Sequence, residues 1–250
     1  MSGHSRWANI KHKKARSDAK KGKVFTKIVR EIMVAAKMGG PDPSANPRLR
    51  SAIENAKSVN LPADNIAKAI KKGAGELDGV NYEEGVYEGY GPAGVAFLVN
   101  YMTDNKNRTA SDVRHAFTSS GGSLGQSGSV AWMFEKKGCF TFAMASITED
   151  KLMEAALDAG ATDVKPNADE GVFEVYAEPA EFHKVKSSFD GIRLLCLHSE
   201  ITMIPKTTVR VEGKAAQQVL RLMEELEDLD DVQTVYANFD MPSEEMAKIA

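Results

Sequence analysis

The stretch Val95-Ala96-Phe97-Leu98-Val99-Asn100-Tyr101 is where the reading of this chain turns. Val95, Phe97, Val99 and Tyr101 alternate with their neighbours, the period of two that belongs to a strand with one face buried. Before it the apolar residues recur at three and four. Val24, Phe25, Ile28, Val29, Ile32, Met33 and Ala36 mark an amphipathic helix that Gly39-Gly40-Pro41 should stop, because glycine favours a C-cap and proline cannot continue the ladder. Asn46-Pro47 supplies the cap and first helical residue of a second helix bearing Leu49, Ile53, Ala56 and Val59. Pro62 opens a third, with Ile66, Ala69 and Ile70, that ends near Gly73. Three helices predict a small bundle over residues 1–75, and Gly73 to Gly79 reads as a hinge.

After the turning point, Val130, Trp132 and Phe134 alternate as a second strand, with a helix carrying Val113, Ala116 and Phe117 between the two. Near the other end of the chain come a strand at Val209-Arg210-Val211, a helix with Val219, Leu220, Met223 and Leu226, and a strand through Val232, Thr234, Tyr236 and Asn238. Between these halves the pattern is strand 139–144, helix 148–159, strand near 163, strand 172–177, helix 179–190 and strand 194–203. That is βαββαβ, a ferredoxin-like unit by itself. The predicted fold is therefore α+β multidomain: an N-terminal three-helix bundle (1–75), a split ferredoxin-like domain (80–137 and 205–240), and a second ferredoxin-like domain (138–204) inserted into it. In such a sheet Cys139 and Cys196, each near the start of its strand, are expected at opposite ends, which argues against a disulfide.

Charge is segregated in the same way. Residues 1–72 hold 17 of the chain's 32 Lys and Arg but 5 of its 35 Asp and Glu, leaving 15 against 30 in the other 178 residues. A basic segment joined to an acidic body points to a polyanionic partner, since gathered cations displace counterions from a phosphate backbone. No run of apolar residues is long enough for a transmembrane span, the N-terminus lacks a secretory signal, and Ser2 in place of glycine rules out N-myristoylation; a cytoplasmic protein without a membrane partner is expected. Two distant cysteines and five scattered histidines show no metal-ligand spacing, so no metal and no cofactor are expected. Nucleophile elbows, zinc-protease motifs and phosphate-cradling glycine loops are all missing, which leaves an enzyme reading without support; no catalytic residues and no small-molecule substrate are expected.

Candidate nucleic-acid-binding residues lie in two tracts. In the leader, Arg6, Lys11, His12, Lys13, Lys14 and Arg16 could donate to phosphate, and Trp7 offers a face for a base or an apolar body for the bundle. In the first long helix Lys20, Lys23, Lys27, Arg30 and Lys37 fall within an arc of roughly 100° opposite Ile32, with Lys21 beside them, and few acidic neighbours neutralise the ridge. On the third helix Asn65, Lys68 and Lys72 could form a further face. Asn105, Lys106, Asn107 and Arg108 make a candidate second surface, although Asp104 or Asn105 also suits a helix cap and the glycines of Gly121 to Gly128 also suit turns. The run Glu224 to Asp231 reads as a solvated face.

Several tracts together, Gly3-His4-Ser5-Arg6-Trp7-Ala8-Asn9-Ile10-Lys11-His12-Lys13, Gly91-Pro92-Ala93-Gly94-Val95, Asp104 to Thr109 and Gly121 to Val130, resemble the YebC/PmpR family over essentially the whole chain. Position 93 is Ala where the family turn is commonly Gly. The resemblance implies a helical N-terminal domain, two α+β domains, a cytoplasmic location and a non-enzymatic role in gene expression: DNA-binding transcription regulation or, in an alternative, translation through RNA binding, with ribosomal RNA and the ribosome as partners. Two rivals stand beside it. One is a protein-interaction adaptor whose basic domain docks onto the acidic body or onto an acidic partner, and the other a hydrolase working from the 104–108 and 121–128 loops.

Overall fold

The computed structural model describes residues 18–168, 170–242 and 245. Helices α1 (Asp18–Gly39), α2 (Pro47–Ser58) and α3 (Ala63–Gly73) come first. The turn between α1 and α2 is fixed by one buried side chain, Asn46. Its Oδ1 accepts the Leu49 N–H at 3.1 Å, capping α2, while its Nδ2 donates to the carbonyls of Ala35 and Gly40 at 2.8 Å each, closing the end of α1. A Cβ on Gly73 would stand 2.3 Å from the Met33 carbonyl oxygen, so only glycine lets the last turn of α3 lie against α1. Ile32, Leu49, Ala52, Ala56 and Ala69 form the bundle's apolar centre, and beyond residue 73 that cluster takes in Tyr82 alone.

The first sheet has the order β3-β1-β2-β9 and is antiparallel throughout, from β1 (Glu83–Tyr90), β2 (Ala96–Thr103), β3 (Ser123–Leu124) and β9 (Val232–Ala237). Helices α4 (Lys106–Ser119) and α7 (Gly213–Asp228) cover one face, burying Phe97, Val99, Phe117, Leu222, Met223 and Leu226. Two expectations for this region are corrected. Residues 131–133 form a 3-10 turn, and Phe134 begins a strand of the other sheet. The strand at Val209 is β8 (Val209–Arg210), which pairs in parallel with β10 (Phe239–Asp240) outside the main sheet. Beside β2, on the side away from β9, the sheet holds β1, a strand whose sequence Glu83-Glu84-Gly85-Val86-Tyr87-Glu88-Gly89-Tyr90 carries little apolar alternation.

The second sheet uses β4 (Phe134–Ala143), β5 (Asp163–Asn167), β6 (Val172–Ala177) and β7 (His198–Pro205) in the order β5-β6-β4-β7, again antiparallel. Helix α5 (Glu149–Ala159) joins β4 to β5, and α6 (Phe182–Gly191) joins β6 to β7. Both lie over one face, where Phe140, Phe142, Leu152, Phe173, Val175 and Phe189 pack. Order and crossovers are those of a βαββαβ unit. Because β4 starts five residues before Cys139 and β7 starts after Cys196, the two cysteines are not at opposite ends of the sheet. Cys139 is mid-strand, and the Cys196 thiol lies 3.5 Å from the carbonyl oxygen of Thr141, two residues further along β4; both thiols are free. The two sheets meet through a small apolar cluster of Ala96, Leu98, Val130 and Phe134, with Met203 and Tyr236 packed against it.

Candidate nucleic-acid interface

Lys23, Lys27 and Arg30 stand on one side of α1, as their spacing predicts, and they face the protein's own body. Lys23 Nζ donates to the Asp228 carbonyl oxygen at 3.0 Å and lies 3.4 Å from its carboxylate. Lys27 Nζ donates to the Glu227 carbonyl oxygen at 2.7 Å. Arg30 donates to the Asp230 carbonyl oxygen and, at 3.2 Å, to Asp231 Oδ1, with its guanidinium 5.3 Å from the Tyr82 ring centroid. The physical cause lies in α7. A helix ends in unsatisfied carbonyls and a partial negative charge, and α7 carries no basic residue in its last turn but six carboxylates between Glu224 and Asp231. Cations must come from elsewhere, and α1 supplies them. Lys37, further along the helix, donates to Asn81 Oδ1 at 3.1 Å.

Asp231 is the centre of this contact. Besides Arg30, its carboxylate accepts from Arg108 Nη2 (2.6 Å), Thr109 Oγ1 (2.8 Å) and Thr103 Oγ1 (3.1 Å). Burial alone would raise its pKa; those donors outweigh burial and hold it below the ordinary carboxylate value. The candidate second surface is thereby largely occupied. Asn105 caps α4 by accepting the Arg108 N–H at 3.1 Å, Arg108 also grips Asp104 at 2.7 Å, and Lys106 pairs with Glu83; Asn107 is exposed.

The glycine-rich loop is held by Glu88 of β1, a residue absent from the sequence-based candidates. Its buried carboxylate accepts the N–H groups of Gly128, Val130 and Ala131, each at 2.7 Å. Burial pushes its pKa up, but the three amides prevail and keep it below the usual value. The loop beside it presents an exposed Trp132, whose indole N–H donates to the Ser129 carbonyl oxygen at 3.1 Å.

Elsewhere on the bundle Lys68, Lys71 and Lys72 of α3 and Lys57 of α2 are exposed and make no ion pair with any described residue; Asn65 lies one turn before Lys68. The leader residues Arg6, Trp7, Lys11, His12, Lys13, Lys14 and Arg16 lie outside the described residues, and of Lys20 and Lys21 only the helical backbone is described. Structure thus brings Lys23, Lys27 and Arg30 together on the end of α7, where Arg108 of α4 meets Arg30 at Asp231, while Lys106 pairs with Glu83. What the sequence reading missed is the receiver, Glu227 to Asp231. Its signal was legible as a helix whose last turn has the wrong sign of charge.

Among the described residues no group of three or more His, Cys, Asp or Glu side chains could hold a metal ion, and no helix is long and apolar enough to cross a membrane. Two family models match: the TACO1/YebC protein N-terminal domain over residues 5–76, and the TACO1/YebC second and third domain over residues 82–239. The chain is 61% identical over 251 residues to a probable transcriptional regulatory protein of Syntrophobacter fumaroxidans, and 56% identical over 249 residues to one of Citrifermentans bemidjiense, with 100% of each chain covered in both cases. A crystal structure of a conserved hypothetical protein from Aquifex aeolicus aligns with a TM-score of 0.81 at 48% identity, covering 92% of this chain and 94% of that one.

Proposed function

The chain belongs to the TACO1/YebC family, and from that premise we propose that it is a nucleic-acid-binding regulator of gene expression that works without catalysis, in the cytoplasm. The observation that carries this reading is the outward cationic face of the bundle, where Lys57, Lys68, Lys71 and Lys72 are exposed and unneutralised by any described carboxylate. A phosphate backbone neutralises such a face and gains counterion release at each contact. The relatives' names favour transcription as the process, and DNA is the polymer we infer for that process. The leader from Arg6 to Arg16 extends the same charge.

Replacing Lys68, Lys71 and Lys72 by Gln tests this directly, because Gln keeps nearly the helix propensity of Lys. Affinity for nucleic acid should fall, and the slope of log affinity against log salt should flatten by about 2–3 units. An unchanged slope would reject the face. Crosslinking in cells followed by identification of the bound polymer distinguishes processes: promoter DNA supports transcription, and recovery of ribosomal RNA instead would move the protein to translation. For the domains we propose the division 1–75, 80–137 with 205–240, and 138–204, its inner border drawn back to Phe134, where β4 of the inserted sheet begins. Excising 139–204 and rejoining the flanks should leave a remainder that unfolds cooperatively.

A further inference from the structure

We propose that the contact between the bundle and the end of α7 is an electrostatic latch: residues 227–231 occupy Lys23, Lys27 and Arg30 as a phosphate backbone would, and nucleic acid must displace them to use that surface. The inference rests on the reading of the bundle as the nucleic-acid-binding module and concerns how that module is regulated.

Three observations carry it. First, the ligands are those a polyanion offers. Backbone carbonyl oxygens of Glu227, Asp228 and Asp230 and the carboxylates of Asp228 and Asp231 surround the three cations at hydrogen-bonding distance. Second, the rest of the seam is polar as well. Arg48 of α2 reaches Glu84 at 2.7 Å, Glu54 of α2 meets Lys186 of α6 at 2.9 Å, and Ser51 Oγ lies 3.4 Å from His183 Nε2. Apart from Tyr82, the apolar cluster of the bundle draws on no residue of the body. Third, the connection permits it. Residues 74–82 contain no helix or strand and are largely exposed, and Gly75 has a φ of 80°, a backbone state that other residues adopt only with strain.

Closed and open forms differ in one functional respect. In the closed form the α3 lysines are free and the α1 cations are occupied; in the open form both are free. A ligand that makes contacts only in the open form shifts the equilibrium toward it, and an equilibrium held closed weakens that ligand in return. Opening also uncovers the acidic run, which disfavours rebinding of the polyanion on the body.

The test uses the full chain with Cys139 and Cys196 replaced by Ala and with S51C and H183C joined by a short bismaleimide. This link holds α2 on α6 and touches neither the α1 ridge nor the α3 face. Binding is measured to a labelled short DNA duplex and to an RNA strand of equal length, across a salt series. The joined protein should bind about tenfold more weakly than the same protein left unjoined, with a salt slope smaller by about 2–3 units, the share of three lost phosphate contacts. In a second arm, Asp228→Lys, which removes an exposed carboxylate paired among the described residues with Lys23, should raise affinity up to about fivefold above that of Asp158→Lys, a control with the same change of charge on α5. Equal affinity and slope for joined and unjoined protein would overturn the latch and leave the proposed function standing, as would equality of the two lysine variants. Absence of binding in every form, unjoined protein included, overturns the proposed function itself and the latch with it.

Discussion

Two seams hold this molecule together, and they are built from opposite materials. Between the sheets, Ala96, Leu98, Val130 and Phe134 form an apolar contact of the kind found inside a domain. Between the bundle and the body, lysines and arginines meet carbonyls and carboxylates. Apolar contact is insensitive to salt and to charged competitors; exposed ion pairs are weakened by both. The body is thus one lasting unit, and the bundle is held to it by bonds that a polyanion can replace.

The largest break should come at the apolar seam. Phe134→Ala leaves a cavity where β4 leaves the 3-10 turn and should cost about 3–5 kcal/mol in chemical denaturation, at low and high salt alike. Next is the place among the described residues where the ionic seam is buried: Asp231→Ala takes the carboxylate from the buried side of Arg30 and leaves Arg108 with the Asp104 carboxylate alone, and should cost about 3 kcal/mol, a penalty that added salt does not abolish.

Glu88 supports the apolar seam, because its carboxylate holds the amides of Val130 and Ala131 in place for that contact. Glu88→Gln should cost about 2 kcal/mol at neutral pH. Since the folded pKa of Glu88 is lowered, the wild-type advantage should be full above the unfolded value of about 4.3 and vanish as pH falls through the folded one; a variant whose penalty persisted at lower pH would show that the loop is held by something else. Smallest is Lys23→Gln. With Lys23 46% and Asp228 69% exposed, it should cost under about 1 kcal/mol and disappear into the salt series, and a larger, salt-independent loss would mean that this end of the seam is not ionic.

Local chemistry was legible in the sequence and partnership was not. The bundle's helices begin and end where Asn46-Pro47, Pro62 and Gly39-Gly40 indicate, because caps act through residues three or four positions away. The strand expected at Val130 to Phe134 failed for a specific reason: the amides at 130 and 131, which a ladder would need, are bonded to a carboxylate more than forty residues earlier. The basic ridge was read as a surface since its helical face is fixed by period. Nothing in that period says what the face meets. Sequence alone puts Arg108 on a loop within reach of a ligand; in the structure it stands in the first turn of α4, held by Asp231, 123 residues away.

The same separation gives the ridge a history. Lys23, Lys27 and Arg30 are joined to partners 200 to 205 residues later in the chain. During synthesis at about 5–20 residues per second, α1 leaves the ribosome roughly 10–40 s before the acidic run that will cover it exists. Every copy therefore begins life with its cations bare beside the RNA of the machine that makes it, and the end of its own α7 reaches that surface late.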